Sequence, residues 1–415
     1  MDQSRPEFGL LSGIRVVMMG LSVAAPFAAQ LYAEHGADVI WVENPGSVDT
    51  SRTSRRSGAW QQDRRNMRSL ALNYLDPDGR AVLLDLLAGT DVLIEASTGG
   101  RFARIGLGDD VLWQRNPGLV IAHISGFGQT GDERYLSRPS YDPIAQAFSC
   151  AMRMNGLPGQ RSVPAMPFPA DYTAAFYAFG MANAALLKRH ETGRGESIDI
   201  AQFEVMMRVQ ANYPTDFLRY GLDYVKEGDH SLICAVYGTY VCGDGEEVYV
   251  LVLGPGVVRR TVALLGLDAR PDAAELFGDG AGLVPVGTEA AEVIEAAFAQ
   301  FIATRTAAQV EDELADHGVP CSRLMDYAAA REHPHYRARG VFTEWTASDG
   351  VTTVPGVKVV PELTRHPGRV WRGAPSIGQD NDALLDELAV SAAARARMAA
   401  AGVLATRPYS ETTGA

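Results

Sequence analysis

The sequence predicts an α/β protein in which helices cover a parallel sheet, together with a separate and smaller α+β domain. The chain has 415 residues, which is too long for one ordinary core and makes two domains the natural expectation. Its first half alternates short apolar runs with helical patterns, an order typical of a parallel sheet. Its character changes near residue 221, where a hairpin pattern and further helices replace that alternation.

The first half supplies the elements of the sheet domain. Short apolar runs predict strands at residues 14–19, 39–42, 70–72, 92–94, 119–124 and 198–200. Helical periodicity predicts helices at residues 26–35, 77–87, 172–190 and 201–220. Pro26 suits the first position of its helix, where a missing N–H costs nothing. Because such sheets bind ligands beyond the carboxyl ends of their strands, function is expected in the loops that follow them.

The smaller domain begins with a predicted β-hairpin, whose strands at 237–242 and 248–253 flank the turn GDGEE. Helices follow at residues 257–265, 290–304 and 307–317. Beyond this domain, extended pieces at 352–360 and a stretch rich in proline and glycine at 365–378 precede a last predicted helix at 381–401.

Composition excludes several classes of protein. Apolar residues make up 47% and charged residues 21%, as in globular chains, and the net charge of −13 argues against a nucleic-acid partner. No run of 18 apolar residues and no signal-peptide pattern is present, so neither a membrane span nor secretion is expected. Cys150, Cys234, Cys242 and Cys321 lack CxxC spacing, which indicates free thiols in the cytoplasm. The only paired histidines form HPH at 333–335, so no metal is predicted.

The segment GFGQTG at residues 126–131 matches the GxGxxG pattern of dinucleotide-binding loops. The residues after it, DERYLSRPS, do not open a helix, and no strand with a ribose-binding acid follows at the expected distance. A glycine loop at a strand end is therefore the favoured interpretation.

Two clusters of arginine precede the third predicted strand. They are SRTSRR, with Arg52, Arg55 and Arg56, and DRRNMR, with Arg64, Arg65 and Arg68. Guanidinium groups bind phosphates of nucleotide-like cofactors, but arginine is also common in solvated surface loops. Both interpretations stay open at this point.

Asp171 follows two prolines in MPFPADY and precedes a long predicted helix. An acid at a helix start meets free N–H groups and the positive end of the helix, which favour its ionised form. An ionised carboxylate is a possible nucleophile. The pattern alone, however, is that of an ordinary acidic residue at the start of a helix.

Long ordered motifs resemble the class III CoA-transferases, and within them most closely the L-carnitine CoA-transferases. They are LSGIRVV, FAAQLYAEHGADVIWVEN, DVLWQRNPGLVIAHISGFGQTG, PFPADY, ETGRGESIDIAQFEVM and PGRVWRGAPSIGQD. The resemblance implies a large Rossmann-like domain from both chain ends, formed by 1–224 and a return segment at 331–415. A small α+β domain at 225–330 is inserted between them. It also implies an interlocked homodimer.

The resemblance implies the chemistry as well. Its nucleophilic aspartate falls on Asp171, which would attack an acyl-CoA and pass through an aspartyl anhydride and an aspartyl-CoA thioester. Backbone N–H donors near Asp171 would stabilise the oxyanions that form. The expected substrates are acyl-CoA and small acids such as carnitine, crotonobetaine and γ-butyrobetaine.

By the family pattern, coenzyme A lies across the strand ends of the large domain. The implied CoA-binding residues are Val23, Ala24, Leu72, Asn73, Ala96, Ser97, Thr98, Arg104, Ser140, Tyr141 and Asp142. Thr98 and Ile105 stand where carnitine transferases carry basic residues, and Arg101 could partly replace them. Trp60, Tyr141, Tyr172 and Tyr237 are candidates to face a trimethylammonium group, with plain packing as the alternative for each.

Other functions remain as alternatives. An α-methylacyl-CoA racemase needs a histidine beside the same aspartate, and this chain has Ser140 there, which cannot shuttle a proton at neutral pH. Oxalate- and formyl-specific relatives carry a glycine-rich loop where this chain has LVLGPGVV. A non-catalytic CoA-binding protein with the same fold is the remaining alternative.

Overall fold

The structure is a computed structural model, and it describes residues 5–47, 49–52, 58–278, 280 and 282–407. Within these residues, no helix is both long and apolar enough to cross a bilayer.

Two compact units make up the described chain. The larger unit contains the described residues up to 152, residues 164–222 and the described residues from 337 onward. The smaller unit contains residues 153–163 and the described residues of 223–336.

The strands of the described residues follow in chain order. They are β1 (Arg15–Met19), β2 (Asp38–Glu43), β3 (Arg68–Ala71), β4 (Val92–Ala96), β5 (Val120–Ser125), β6 (Ser197–Ala201), β7 (Tyr237–Val241), β8 (Glu247–Leu251), β9 (Cys321–Arg323), β10 (Phe342–Thr346) and β11 (Thr353–Val357).

The α-helices follow in the same way, and two short 3₁₀ turns lie at Thr50–Arg52 and Leu267–Ala269. The first ten helices are α1 (Ala24–Glu34), α2 (Gly58–Arg64), α3 (Pro77–Ala88), α4 (Arg101–Arg104), α5 (Asp109–Arg115), α6 (Glu133–Leu136), α7 (Asp142–Phe148), α8 (Ala151–Met154), α9 (Pro169–Thr192) and α10 (Gln202–Arg208). The others are α11 (Tyr213–Tyr220), α12 (Pro255–Leu264), α13 (Ala273–Phe277), α14 (Glu289–Ala303), α15 (Ala307–Asp316), α16 (Tyr327–Glu332), α17 (Pro334–Arg339), α18 (Asn381–Glu387) and α19 (Ala392–Ala400).

A six-stranded sheet forms the centre of the larger unit, in the order β3-β2-β1-β4-β5-β6. Every neighbouring pair is parallel, so the predicted mixed α/β fold with a parallel sheet is confirmed. The order is that of a doubly wound sheet, whose strand order reverses between β1 and β4. Such a reversal is the expected place for a ligand.

Each face of the sheet is covered by its own helix layer, because successive strand residues point to opposite sides. Val16 and Met18 face a core that contains the alanine-rich faces of α1 and α9. Val17 and Met19 face a second core with residues of α3, α5, α18 and α19. Small alanine side chains let α1 and α9 lie close to the sheet and to each other.

Residues near the C-terminal end of the described chain bind the edge strand β3. The side chains of Asp380 and Asn381 accept hydrogen bonds from the backbone N–H groups of Ser69 and Ala71, at 2.9 and 3.0 Å. These bonds satisfy donors that an edge strand leaves unpaired.

Two predicted long helices are each broken in the structure. The helix predicted at 201–220 is α10 and α11, with Ala211 at φ 51° between them. Pro214 stands in the first turn of α11 and cannot continue a helix, since it lacks an N–H and restricts the residue before it.

The second break falls within the helix predicted at 381–401. Ala389 adopts φ 54°, and the Ser391 hydroxyl accepts from the N–H of Ala394 to start α19 as a new helix. The N-cap formed by Ser391 therefore starts a new helix where the helical periodicity alone predicts a continuous one.

The smaller unit contains the predicted hairpin, which is confirmed as the antiparallel pair β7 and β8. The unpredicted strand β9 pairs with β8 to give the order β7-β8-β9. Val248 and Val250 face a core with Phe298 of α14 and Val310 of α15.

Candidate active site

The loops after β1 and β4 flank the point where the strand order reverses. Gly20 follows β1, and a Cβ atom there would lie only 2.6 Å from the Cβ of Ala25 and 3.3 Å from that of Ala96. Glycine therefore lets the start of α1 approach the end of β4. Val23 is the N-cap residue of α1, and Ala24 is its first residue.

Three predicted CoA-binding residues end or follow β4. Ala96, Ser97 and Thr98 are each partly buried. The Ser97 hydroxyl donates to the Glu95 carboxylate at 2.7 Å, so this side chain is already oriented by the protein. Together with Val23 and Ala24, these residues are brought to the same side of the strand reversal.

Leu72 and Asn73 follow β3, two strands away from β1 in the sheet. Leu72 is wholly buried in the core and bridges to Leu404, so its side chain is not available to a ligand. The Asn73 Oδ1 atom accepts from the Asn44 side chain at 3.4 Å and from the Leu75 N–H at 3.2 Å.

Two guanidinium groups stand on the short helix after β4. Arg101 and Arg104 begin and end α4 and are exposed, and the Arg104 side chain donates to the Gly99 carbonyl at 2.9 Å. Ile105 packs against the core below. The two arginines are exposed positive charges beside the predicted CoA loops.

The described arginines of the two other clusters have buried or nearly buried side chains. Arg52 pairs with Glu43 and Arg64 with Asp49, at 2.8 and 2.6 Å, and Arg64 is almost wholly buried. The two remaining described members, Arg65 and Arg68, pair with Glu34 and with Asp38 and Glu387. The surface-loop interpretation is wrong for these four residues, and their pairs also make them unavailable for phosphates. Arg55 and Arg56 lie outside the described residues.

Asp171 lies in the first turn of α9 and is 8% exposed. Two polar side chains surround it: Asp142, the first residue of α7, and Gln202, the first residue of α10. The Gln202 amide donates a hydrogen bond to Asp171 Oδ1. Asp142 Oδ2 accepts from the backbone N–H groups of Ala170 and Asp171, at 2.7 and 3.1 Å.

The helix start does not hold the pKa of Asp171 low, although its position alone predicts this. Burial raises the pKa of Asp171 to about 7, the charge of Asp142 contributes in the same direction, and the Gln202 hydrogen bond only partly offsets them. The physical reason is visible in the first turn of α9. The N–H groups that would favour the charged form donate to Asp142 instead.

Ser140, Tyr141 and Asp142 lie just before and at the start of α7. Ser140 packs on the backbone of Gly126, where a Cβ atom would lie 2.1 Å from the Ser140 Cβ. Tyr141 is 68% exposed, whereas Asp142 is buried with both carboxylate oxygens in hydrogen bonds to the protein. Asp142 therefore supports the Asp171 turn and is closed to direct ligand contact.

The loop GFGQTG is a packing loop after β5. The Gly128 N–H donates to Ser125 Oγ at 2.8 Å, and the Gly100 N–H donates to Gln129 Oε1 at 2.9 Å. A Cβ atom at Gly99 would lie 2.4 Å from the Gly128 carbonyl oxygen. Its glycines thus join the loops after β4 and β5, and the helix that follows, α6, has only four residues.

The four aromatic candidates occupy different places. The Trp60 ring is already covered by the Arg52 guanidinium, at 5.0 Å from the ring centroid. Tyr172 packs edge-on against Phe27 at 4.7 Å and follows Asp171 directly. Tyr141 is exposed, and Tyr237 belongs to the smaller unit.

A second buried polar cluster was not predicted. His123 of β5 contacts the Glu95 carboxylate through Nδ1 at 2.6 Å and the Asp109 carboxylate through Nε2 at 3.0 Å. Burial would lower the pKa of His123, but these two carboxylates raise it to about 9. Burial would likewise raise the pKa of Asp109, and the hydrogen bonds from His123 and Ser197 lower it.

Gln202 was also missed by sequence reasoning. Its signal was its place directly after the predicted strand at 198–200, since polar residues at the carboxyl ends of parallel strands line ligand sites. The long helix predicted over 201–220 concealed that the residue stands at a helix start next to Asp171.

Comparisons with known proteins show a family and similar structures for this chain. The family model described as CoA-transferase family III matches residues 11–381. A CAIB/BAIF family protein from Brucella suis has a similar structure, with a TM-score of 0.77 and 26% identity over 92% of this chain and 100% of that one. Rv3272 from M. tuberculosis gives a TM-score of 0.76 at 22% identity, over 92% and 100% of the two chains.

Proposed function

Because the chain belongs to CoA-transferase family III, we propose that it moves CoA reversibly between two small carboxylic acids, with Asp171 as the acyl carrier. Membership of the family implies CoA thioesters as substrates. The identity of the nucleophile, the substrates and the assembly are part of this proposal.

The observation that carries this function is the environment of Asp171. Its carboxylate is buried, has a pKa of about 7 and stands in the first turn of α9, beside the starts of α7 and α10. Burial removes the water that normally shields a carboxylate, so its ionised form is more reactive than an exposed one. A pKa near neutrality supplies that form at physiological pH.

The proposed reaction balances without a cofactor. Asp171 Oδ2 attacks the acyl carbon of the donor, the C–S bond breaks, and CoA leaves as a thiolate from the resulting anhydride. The thiolate then attacks Cγ of Asp171, and the donor acid leaves with Oδ2 and the electron pair of the broken C–O bond. The acceptor carboxylate reverses these steps and returns an oxygen to Asp171.

We propose that CoA lies along the loops after β1 and β4. The exposed guanidinium groups of Arg101 and Arg104 support phosphate binding there, because they stand beside Ser97 and Thr98. Arg101 supplies charge near Thr98 and Ile105, where carnitine transferases carry basic residues. Leu72 and Asp142 would shape the site from within, since both are buried.

A carnitine-like acyl group is the proposed substrate. Tyr172 supports it, since this ring directly follows Asp171 and is the candidate aromatic next to the nucleophile. Burial raises the pKa of Tyr172 to about 12, and the negative charges of Asp63 and Asp171 add to that effect. Two carboxylates near one aromatic ring favour a cationic acyl group such as carnitine, crotonobetaine or γ-butyrobetaine.

We propose an interlocked homodimer in the cytoplasm. Support comes from large apolar side chains that stay exposed on two helices: Phe176, Met181 and Leu187 of α9, and Phe217 and Leu218 of α11. Large apolar side chains that are exposed in a single chain are candidates for burial in a protein interface. The four cysteines are free thiols, as expected in a reducing compartment.

Trapping of the acyl-enzyme tests the function. The protein is incubated with butyrobetainyl-CoA, quenched with hydroxylamine and digested, and a hydroxamate on Asp171 is sought by mass spectrometry. Transfer to carnitine, crotonate and acetate is measured in parallel. Asp171→Asn should lose at least about 10³-fold in kcat, as other enzymes do without their nucleophile.

Glu191→Gln is the matched control, because it removes an exposed carboxylate from the other end of α9 and should keep full activity. Transfer by Asp171→Asn at the wild-type rate would contradict the proposal. Deuterium uptake at the α-carbon without an acceptor acid would identify a racemase instead. CoA binding without any acyl-enzyme would identify a non-catalytic binding protein.

A further inference from the structure

Gln202 is the neutral polar partner of the Asp171 carboxylate. It is the first residue of α10, directly after the edge strand β6, and it is only 6% exposed. Its Nε2 atom donates to Asp171 Oδ1. No other side chain of the described residues donates a hydrogen bond to this carboxylate.

The backbone donors that could replace Gln202 are occupied. The N–H groups of Ala170 and Asp171 both donate to the carboxylate of Asp142. Asp142 is itself fixed by the Gln146 amide, which also exchanges two hydrogen bonds with the backbone of Ala165, at 3.0 and 2.8 Å. Because these two N–H groups of the first turn of α9 bind Asp142, they do not stabilise a negative charge on Asp171.

We propose that Gln202 is a catalytic residue that selects which oxygen of Asp171 attacks and then stabilises the oxyanion on the other. This inference rests on the proposed function of Asp171. Because Oδ1 is held by the Gln202 amide and Oδ2 accepts no side-chain hydrogen bond from the described residues, Oδ2 is the oxygen that attacks the acyl-CoA in this proposal. The hydrogen bond also stabilises the ionised form of Asp171 against burial and the charge of Asp142.

The same hydrogen bond acts at the aspartyl carbon. When the CoA thiolate adds to Cγ of the anhydride, the electrons of the Cγ–Oδ1 double bond move onto Oδ1. They return when the Cγ–Oδ2 bond breaks and the donor acid leaves with Oδ2. Oδ1 carries the negative charge between these two events, and an N–H already directed at it needs no reorganisation. The step that uses the acceptor acid repeats this charge on the same atom.

Gln202→Met is the informative variant. Methionine keeps the length and approximate volume of glutamine but has no N–H to donate. We expect kcat to fall by about 10²-fold to 10³-fold, as for other oxyanion donors, with the KM for acyl-CoA nearly unchanged. The acid limb of the pH–rate profile should move to higher pH. Glu204→Gln, a change on the same helix, should leave both properties at the wild-type values.

A second measurement does not depend on turnover. The carboxyl carbon of Asp171, labelled with ¹³C-aspartate and assigned by its loss in Asp171→Asn, is titrated by NMR without substrate. The Asp171 pKa should rise in Gln202→Met, because a bond to the charged form is lost. Gln202→Glu should raise it as well, since an ionised glutamate repels Asp171; this variant keeps the shape if the methionine variant folds poorly.

The outcomes separate this inference from the proposed function. Trapping at Asp171 in the wild type, with kcat of Gln202→Met at the wild-type value, overturns the role of Gln202 alone. An Asp171 titration that is identical in wild type and both variants also overturns it. Absence of any adduct at Asp171 in the wild type overturns both proposals. A large fall in kcat with upward shifts of the acid limb and the NMR titration supports the inference.

Discussion

Two buried clusters on opposite faces of the central sheet contain the same ingredients in different combinations. Each has two carboxylates and one polar side chain between or beside them. At the start of α9 they are Asp142, Asp171 and the neutral amide of Gln202. Under α4 they are Glu95, Asp109 and the imidazole of His123.

The polar partner decides what each cluster can do. His123 gains a proton and a positive charge, so it pairs with both carboxylates and offsets part of their negative charge. Gln202 cannot gain a charge, so the repulsion between Asp142 and Asp171 remains and helps burial to raise the pKa of Asp171 to about 7. The His123 cluster thus stabilises the fold near Ser97, whose hydroxyl donates to Glu95. The Asp171 cluster instead keeps a reactive carboxylate at a cost in stability.

The largest expected effect is on stability at the reactive cluster. The pKa of Asp171 is about 7 when folded, against 3.8 for an ordinary aspartate, so folding favours its protonated form. Between these values the folded state binds more protons than the unfolded state, and stability falls as pH rises. Asp171→Asn should match the wild type near pH 4 and be more stable by about 4 kcal/mol at pH 8.

Urea unfolding of both proteins from about pH 4 to pH 8 measures this difference in the free energy of unfolding. This pH range roughly spans the two pKa values of Asp171, those of the unfolded and folded states. Glu191→Gln provides the reference, because its carboxylate is exposed and its removal should not change the slope with pH. If the wild type does not lose stability relative to Asp171→Asn between pH 4 and pH 8, the pKa of Asp171 is not raised in the folded state, and this prediction is contradicted.

The structural cluster should respond with the opposite sign. The pKa of His123 is raised from 6.5 to about 9, so its contribution to stability is fully present below pH 6.5 and is lost as pH rises through 9. His123→Gln should cost about 3 kcal/mol at pH 6 and much less at pH 9.5. Unfolding by urea at these two pH values checks both parts.

His190→Gln is the matched control, an exposed histidine whose loss should change stability by less than about 0.5 kcal/mol at either pH. If His123→Gln lowers the free energy of unfolding equally at pH 6 and pH 9.5, His123 stabilises the fold by packing alone. The charge of His123 would then not distinguish its cluster from that of Asp171.

The sheet of the larger unit could be predicted from sequence because its strands are buried on both faces. Runs such as VVMM and VIWV leave few alternatives to a buried strand, and their alternation with helices sets the parallel direction. Helix boundaries were less predictable. The break before α11 and the start of α19 at Ser391 depend on local capping and on Pro214, which periodicity does not register.

The site was predictable only in part, since burial and pairing are three-dimensional facts. The motifs singled out Asp171, but they could not show that Asp142 occupies the N–H groups of its turn. The arginine clusters looked available for phosphates, yet Arg64 and Arg65 pair with Asp49 and Glu34 from other elements. Partners far apart in sequence decide in each case what a residue is free to do.

The smallest of the three effects concerns the repulsion itself. Asp142→Asn removes the negative charge next to Asp171 while an amide oxygen can still accept from the N–H groups of Ala170 and Asp171. Burial is the larger cause of the raised pKa of Asp171 and stays in place. We therefore expect the acid limb of kcat/KM, near pH 7 in the wild type, to move down by about one unit, or about 1.4 kcal/mol.

The pH–rate profile separates charge from packing in this variant. The Gln146 amide, fixed by Ala165, would face the NH₂ group of the new amide at position 142 as a second donor, so some loss of kcat and stability is expected from packing alone. That loss scales the whole profile, whereas removal of a charge displaces its acid limb. Asp110→Asn, an exposed change of equal charge, should leave the limb in place. An unmoved limb in Asp142→Asn would mean that burial alone tunes Asp171, and the two clusters would then differ by solvent exclusion rather than by the charge of their polar partner.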